Sequence, residues 1–158
     1  SDFELVDHNG DAFTLKNLND KWSILFFAFT SCPDICPTTL STLSNMYSKL
    51  DVEEQKDLQV IMISLDVERD TVDKLAGYVP YFHHEFVGVT GNPHFVRRLT
   101  AELNIAYNRV ELGTDNYTID HSTQLLLTNP NGHYHAFFKA PNSEIALRQT
   151  WRSMSALF

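Results

Sequence analysis

The sequence predicts an α/β fold, with a mixed central sheet flanked by helices and an N-terminal β-hairpin. Three observations carry this. Residues 22–29 and 58–65 are uncharged apolar runs, as strands buried on both faces require. Between them Leu40, Leu43, Met46, Tyr47 and Leu50 recur at helical spacing, so strand, helix and strand follow in the order of a parallel crossover. Asn-Gly pairs at 9–10 and 131–132 sit between short apolar segments and mark antiparallel hairpins.

Composition sets the outer bounds. The 158 residues fit one domain, 1–158, with enough chain to bury a sizeable core. With 43% hydrophobic and 20% charged residues, the chain is neither disordered nor membrane-like. A formal net charge of −8 disfavours nucleic acid and anionic membrane surfaces as partners. No run is long enough to cross a bilayer, and the polar opening Ser-Asp-Phe-Glu carries no signal-peptide pattern.

In order, residues 3–6 and 12–15 form the first hairpin around a type I′ turn at Asn9-Gly10, with His8 exposed beside it. The strand at 22–29 then breaks into Thr30-Ser31-Cys32-Pro33-Asp34-Ile35-Cys36-Pro37, which holds both cysteines of the chain. Pro37 suits a first helical turn, where its missing N–H costs nothing, and it biases Cys36 toward extended backbone. Cys32 and Pro33 are therefore expected in a loop, with Cys36 at or just before the helix cap. Unpaired N–H groups and the helix dipole there favour thiolate over thiol. A thiolate is both the nucleophile of disulfide exchange and a soft ligand for copper(I) or zinc. The plainer alternative is a pair of buried small residues or a structural disulfide. So short a ring would remove little entropy from the unfolded chain, which weighs against the disulfide.

Residues 51–57 read as a charged connection to the second buried strand, and Asp66 stands at that strand's carboxyl end, where open α/β sheets build sites. Asp66 is either a solvated loop carboxylate or a group that orients a ligand by hydrogen bonding. Asp70 or Thr71 caps a short helix over 72–81 that Gly77 and Pro80 weaken and end. His83 and His84 precede a strand at 86–89; as strand neighbours they would point to opposite faces and chelate one ion poorly. Asn92 and Pro93 start a helix whose Phe95, Val96, Leu99 and Leu103 face inward, with His94 in its solvent-facing first turn. Residues 105–112 read as strand and 113–116 as polar loop. Residues 117–120 lead through His121-Ser122-Thr123 to an apolar strand at 124–128. A second type I′ hairpin follows at Asn131-Gly132, returning over 133–138. The last helix starts near Asn142 or Ser143, with Leu147, Trp151, Met154 and Phe158 on one face.

FTSCPDICP, then SLDVERDT, then YTIDHSTQLLLTNPNG together resemble the Sco/SenC family of copper-binding, thioredoxin-like proteins, over essentially the whole chain. The resemblance implies a thioredoxin-like fold. It also implies a metallochaperone in which Cys32, Cys36 and His121 hold one copper ion, with Cys32 and Cys36 doubling as a redox pair. Two thiolates and an imidazole suit copper(I), and an added oxygen ligand would suit copper(II); zinc lacks an obvious fourth ligand. His133 and His135 share one face of a strand and are the rival pair, but a hairpin tip should lie far from the cysteines. In the family SxDPxRDT is the usual form, with its aspartate near the copper. Here Val67 replaces the proline, which loosens the loop around Asp66.

The resemblance further implies a copper-receiving partner, cytochrome c oxidase subunit II, whose dinuclear copper site the protein would help assemble. A thiol reductant or another copper chaperone would serve it, and a monomer is expected. Family members usually carry an N-terminal membrane anchor, so one is expected for the protein as a whole. The setting implied is the periplasmic side of a bacterial inner membrane or the mitochondrial intermembrane space. Three other readings use the same residues. A thiol–disulfide oxidoreductase would use His121 only to tune a thiol, and a redox-sensing module would bind a partner without turnover. A thiol peroxidase would need an arginine beside the reactive thiol, for which the sequence offers no clear candidate.

Overall fold

The computed structural model describes residues 4–32, 35–113, 116–121, 124–138 and 143–158. Its frame is a seven-stranded mixed sheet. β3 (Trp22–Ala28) pairs in parallel with β4 (Leu58–Ser64), and every residue of β3 is buried. β4 pairs in parallel with β5 (Val87–Thr90), which pairs antiparallel with β1 (Glu4–Asp7) and through it β2 (Ala12–Thr14). On the other side β3 pairs antiparallel with β8 (Leu125–Thr128), and β8 with β9 (Tyr134–Phe138). The order is β2-β1-β5-β4-β3-β8-β9, the mixed thioredoxin-like sheet with an N-terminal hairpin that the sequence predicts. A separate two-stranded sheet joins β6 (Tyr107–Gly113) to β7 (Asn116–His121).

Helix α1 (Ile35–Ser48) buries Leu40, Leu43, Met46 and Tyr47, the residues at helical spacing, and packs against α3 (Val72–Phe82) and α5 (Glu144–Leu157). α3 lies close on β5 because Gly88 has no side chain; a Cβ there would meet Val79 Cγ2 at 2.8 Å. Asn92 and Ser143 cap α4 (Pro93–Glu102) and α5 through the amides of His94 and Ala146, and His94 is exposed. Of the predicted face of α5, Leu147 and Trp151 are buried, whereas Phe158 lies past the helix end, partly exposed against Trp22.

Several expectations are corrected. Neither Asn-Gly pair forms a two-residue type I′ turn, because Gly10 and Gly132 have positive φ but Asn9 and Asn131 do not. Both loops hold three residues. The side chains of Asp7 and Asn129 accept two amides each across the loop and so lengthen it by one residue. His8 is half-buried rather than exposed, its Nδ1 accepting the Gly88 amide at 3.0 Å. Residues 51–57 are not mere connection: Asp51 and Glu54 form a reciprocal capping box that starts α2 (Val52–Asp57). α3 continues through Pro80 to Phe82. The carbonyl deprived of a partner belongs to exposed Ala76, where water can serve it. His83 and His84 lie in a turn before β5, so their rings stack at 4.6 Å instead of diverging. Residues 116–121, expected as loop and lead-in, pair with β6 as a hairpin.

Candidate metal centre

The site forms where β3 and β4 end. The ladder closes with the Leu65 amide on the Ala28 carbonyl at 2.8 Å, and the chain turns so that the Cys32 amide reaches the Phe29 carbonyl at 3.2 Å. α1 begins at Ile35, so Cys36 lies inside the first helical turn and not before the cap as expected. Pro37 still costs nothing there, because the first turn's N–H groups have no intrahelical partner. Pro33 and Asp34 lie outside the described residues. Both cysteines are free and buried, Cys36 completely.

The third member arrives from 85 positions away. β7 ends at His121, opposite Tyr107 across the hairpin, and its Nε2 lies 3.8 Å from Cys36 Sγ. The imidazole stands edge-on to Phe29, with ring centroids 5.8 Å apart. One ligand atom from each of Cys32, Cys36 and His121 lies within 4.8 Å of the other two, the only such His/Cys/Asp/Glu group among the described residues. The rival histidines take no part. His133 precedes β9, and His135 packs edge-on against Trp22 at 4.9 Å.

Electrostatics differ from expectation at Cys36. Burial, first, then hydrogen bonding to Cys32 and the charges of Cys32 and Asp70 push its thiol above its ordinary range. Proximity to a helix N-terminus does not overcome desolvation here. A bound cation would supply the missing stabilisation by displacing the thiol proton.

Asp66 is 3% exposed, which overturns the solvated-loop alternative. Its carboxylate accepts the Tyr117 hydroxyl at 2.5 Å and pairs with the Arg69 guanidinium, which also donates to the Tyr117 carbonyl at 3.0 Å. Burial, then the bond to Asp66, pushes the Tyr117 phenol up to about 12. The ring of Tyr117 lies between Arg69 and Arg109, each 3.7 Å from its centroid. Among the described residues, the side chain of Asp66 thus grips the hairpin that carries His121 and bonds to none of the three donors.

The residue that sequence reasoning missed is Asp70, expected as one of two alternative caps. Thr71 caps α3 by accepting the Lys74 amide, and Asp70 turns inward with no exposure. It accepts the Thr30 amide at 3.0 Å, the Thr30 hydroxyl at 2.5 Å and the Ser64 hydroxyl at 2.7 Å. It thereby binds the strand ends to the loop that carries Cys32 two residues later. The available signal was the pair of acids four apart around one turn, of which a single helix needs only one cap.

Comparison with known proteins agrees with this geometry. The family model described as SCO1/SenC matches residues 1–156. An SCO2-like protein of Rickettsia typhi is 42% identical over 134 residues, covering 84% of this chain and 66% of that protein. The chain thus spans about two thirds of that relative's length. The crystal structure of Arabidopsis thaliana ScoI with copper bound superposes with a TM-score of 0.93 at 32% identity, covering 100% of this chain and 98% of that one. Yeast Sco1 with copper bound gives 0.89 at 29% identity, covering 100% and 88%. The motifs, the sheet order and the site geometry lead to one assignment: the chain belongs to the SCO1/SenC family.

Proposed function

We propose that this protein is a copper metallochaperone in which Cys32, Cys36 and His121 hold one copper ion for transfer to a partner. The observation that carries the proposal is the convergence of two sulfurs and one imidazole nitrogen within 4.8 Å of one another. Copper(I) accepts two thiolates and an imidazole as a complete low-coordinate set, whereas zinc would want a fourth donor. Likeness to Sco proteins solved with copper bound supports the same ion. The two sulfurs are close enough to give the site a release route. Exchange with a partner disulfide would take two electrons from the thiolates and close a Cys32–Cys36 bond, leaving the ion only His121.

The recipient we infer is cytochrome c oxidase subunit II, receiving copper for its dinuclear site at the periplasmic face of a bacterial inner membrane or in the mitochondrial intermembrane space. Among the described residues no helix is long and apolar enough to cross a membrane. The test is metal content of the reduced protein after anaerobic loading. One copper per chain is expected, reduced sharply in His121→Ala and abolished in the double Cys32→Ser, Cys36→Ser variant. Unchanged binding in His121→Ala would remove the histidine from the site and favour the thiol–disulfide oxidoreductase reading.

A further inference from the structure

Asp70 is a fully buried carboxylate, and no cation lies in an ion pair with it among the described residues. Its partners are the amide and hydroxyl of Thr30 and the hydroxyl of Ser64. The Ser64 hydroxyl in turn accepts the Asp66 amide at 3.0 Å, which commits its own proton to Asp70. Every bond to the carboxylate is therefore a donation into it, the pattern of an ionised group that serves only as acceptor. Burying a charge without a counter-ion is costly, and an asparagine or serine could tie the same strands together for less. The charge is also bonded directly to Thr30, which stands two residues before Cys32 on the strand-to-loop turn that delivers the thiols.

We propose that Asp70 is a specificity-determining residue that sets which oxidation state of copper the Cys32–Cys36–His121 cluster prefers. This rests on the copper reading above. A cluster of two thiolates and one imidazole carries net charge −1 with copper(I) and 0 with copper(II). A fixed negative charge nearby disfavours the anionic form and favours the neutral one. Asp70 thus holds the loop by hydrogen bonding and, separately, tilts the site toward copper(II) by its charge. Asp66 cannot duplicate this, because the Arg69 guanidinium offsets it.

The experiment compares copper(I) and copper(II) affinities, by anaerobic competition with chelators of each ion, in wild type, Asp70→Asn and Ser64→Ala. Asp70→Asn removes the charge and keeps the shape. It should shift the ratio of affinities toward copper(I) by at least about tenfold, the scale of one charge acting across about 12 Å at an effective dielectric of about 20. The copper reduction potential should rise in step. Ser64→Ala keeps the charge and removes one hydrogen bond, so the ratio should stay within about threefold even if stability falls. An unchanged ratio in folded Asp70→Asn would overturn the proposal. So would a tenfold shift in Ser64→Ala, an arm that stands even if Asp70→Asn does not fold. Wild-type protein that binds neither ion would overturn the copper reading itself, and this one with it.

Discussion

The three donors stand on two supports of unlike construction. Cys32 and Cys36 leave the buried spine of the molecule, where β3 is covered on both faces and Phe26 and Phe27 have essentially no exposure. His121 stands at the root of the β6–β7 hairpin, whose seven-residue β6 has no buried position and whose β7 buries only Ile119. The spine is held by a continuous buried apolar area, and the hairpin by one buried side chain, Ile119, the partly buried Tyr107 and Tyr117, and a few polar contacts at Asp66, Arg69, Glu68 and Tyr117. Regions with few buried apolar contacts open at lower free energy than core strands. The comparison teaches that the thiols are the fixed part of the site and the imidazole the adjustable part. Changes in the spine should cost stability, and changes at the root of the hairpin, where His121 and Tyr117 stand, should cost copper.

The largest expected effect is on the spine. Phe26→Ala should destabilise the protein by about 4 kcal/mol in denaturant titration, as large core truncations do. Copper affinity of the molecules that remain folded should be unchanged. An equal loss of affinity would show the two supports to be one. On the hairpin side, His121→Ala should lower copper affinity by at least about a hundredfold, the upper scale on which even the outer partners of metal ligands act. The unfolding midpoint of the metal-free protein should move little.

Next comes the proton. Because burial raises the Cys36 thiol above its ordinary 9.0, that thiol stays protonated in the metal-free fold through neutral pH. Copper must eject the proton, so affinity should rise by at least about tenfold per pH unit between roughly pH 6 and 8. A pH-independent affinity would mean that the thiol is already ionised. The same raised value makes metal-free stability complete below pH 9.0 and lost as pH climbs beyond it, since the unfolded thiol then releases its proton first.

Tyr117→Phe sharpens the comparison from the middle. It removes the phenol from Asp66 while keeping the ring between the two arginines, and should lower copper affinity by about tenfold through His121. Stability should fall by only about 1 kcal/mol. The smallest effect belongs to Leu112→Ser on the exposed hairpin, with stability expected within about 0.5 kcal/mol and copper binding unaltered.

Legibility in the sequence follows the same division. β3, β4 and the inward face of α1 were readable because burial on both faces leaves an uncharged run and a helix leaves a 3.6-residue repeat. The helix cap at Asn92 was readable, and that of the last helix was narrowed to Asn142 or Ser143, because capping needs particular side chains one turn from their amides. The β6–β7 hairpin was not, since a largely solvent-facing pair imposes no apolar alternation; its two segments read as strand and loop. The three-residue hairpin loops were missed because Asn-Gly signals a turn, while Asp7 and Asn129 decide its length.

Covalent neighbourhood therefore determined the two thiols, the strand that delivers them and the helix that follows, all within one contiguous stretch of chain. The family resemblance singled out His121 from seven histidines as their companion, but tertiary structure supplied the physical reason, bringing it to them across 85 positions; it alone decided that Asp66 grips the hairpin and that Asp70 points inward rather than capping. Short-range preferences are set by each residue's own backbone and its neighbours a turn away. Convergence of distant groups is set by how the whole sheet packs, and local pattern signals it only through resemblance to a family, not through its own physics.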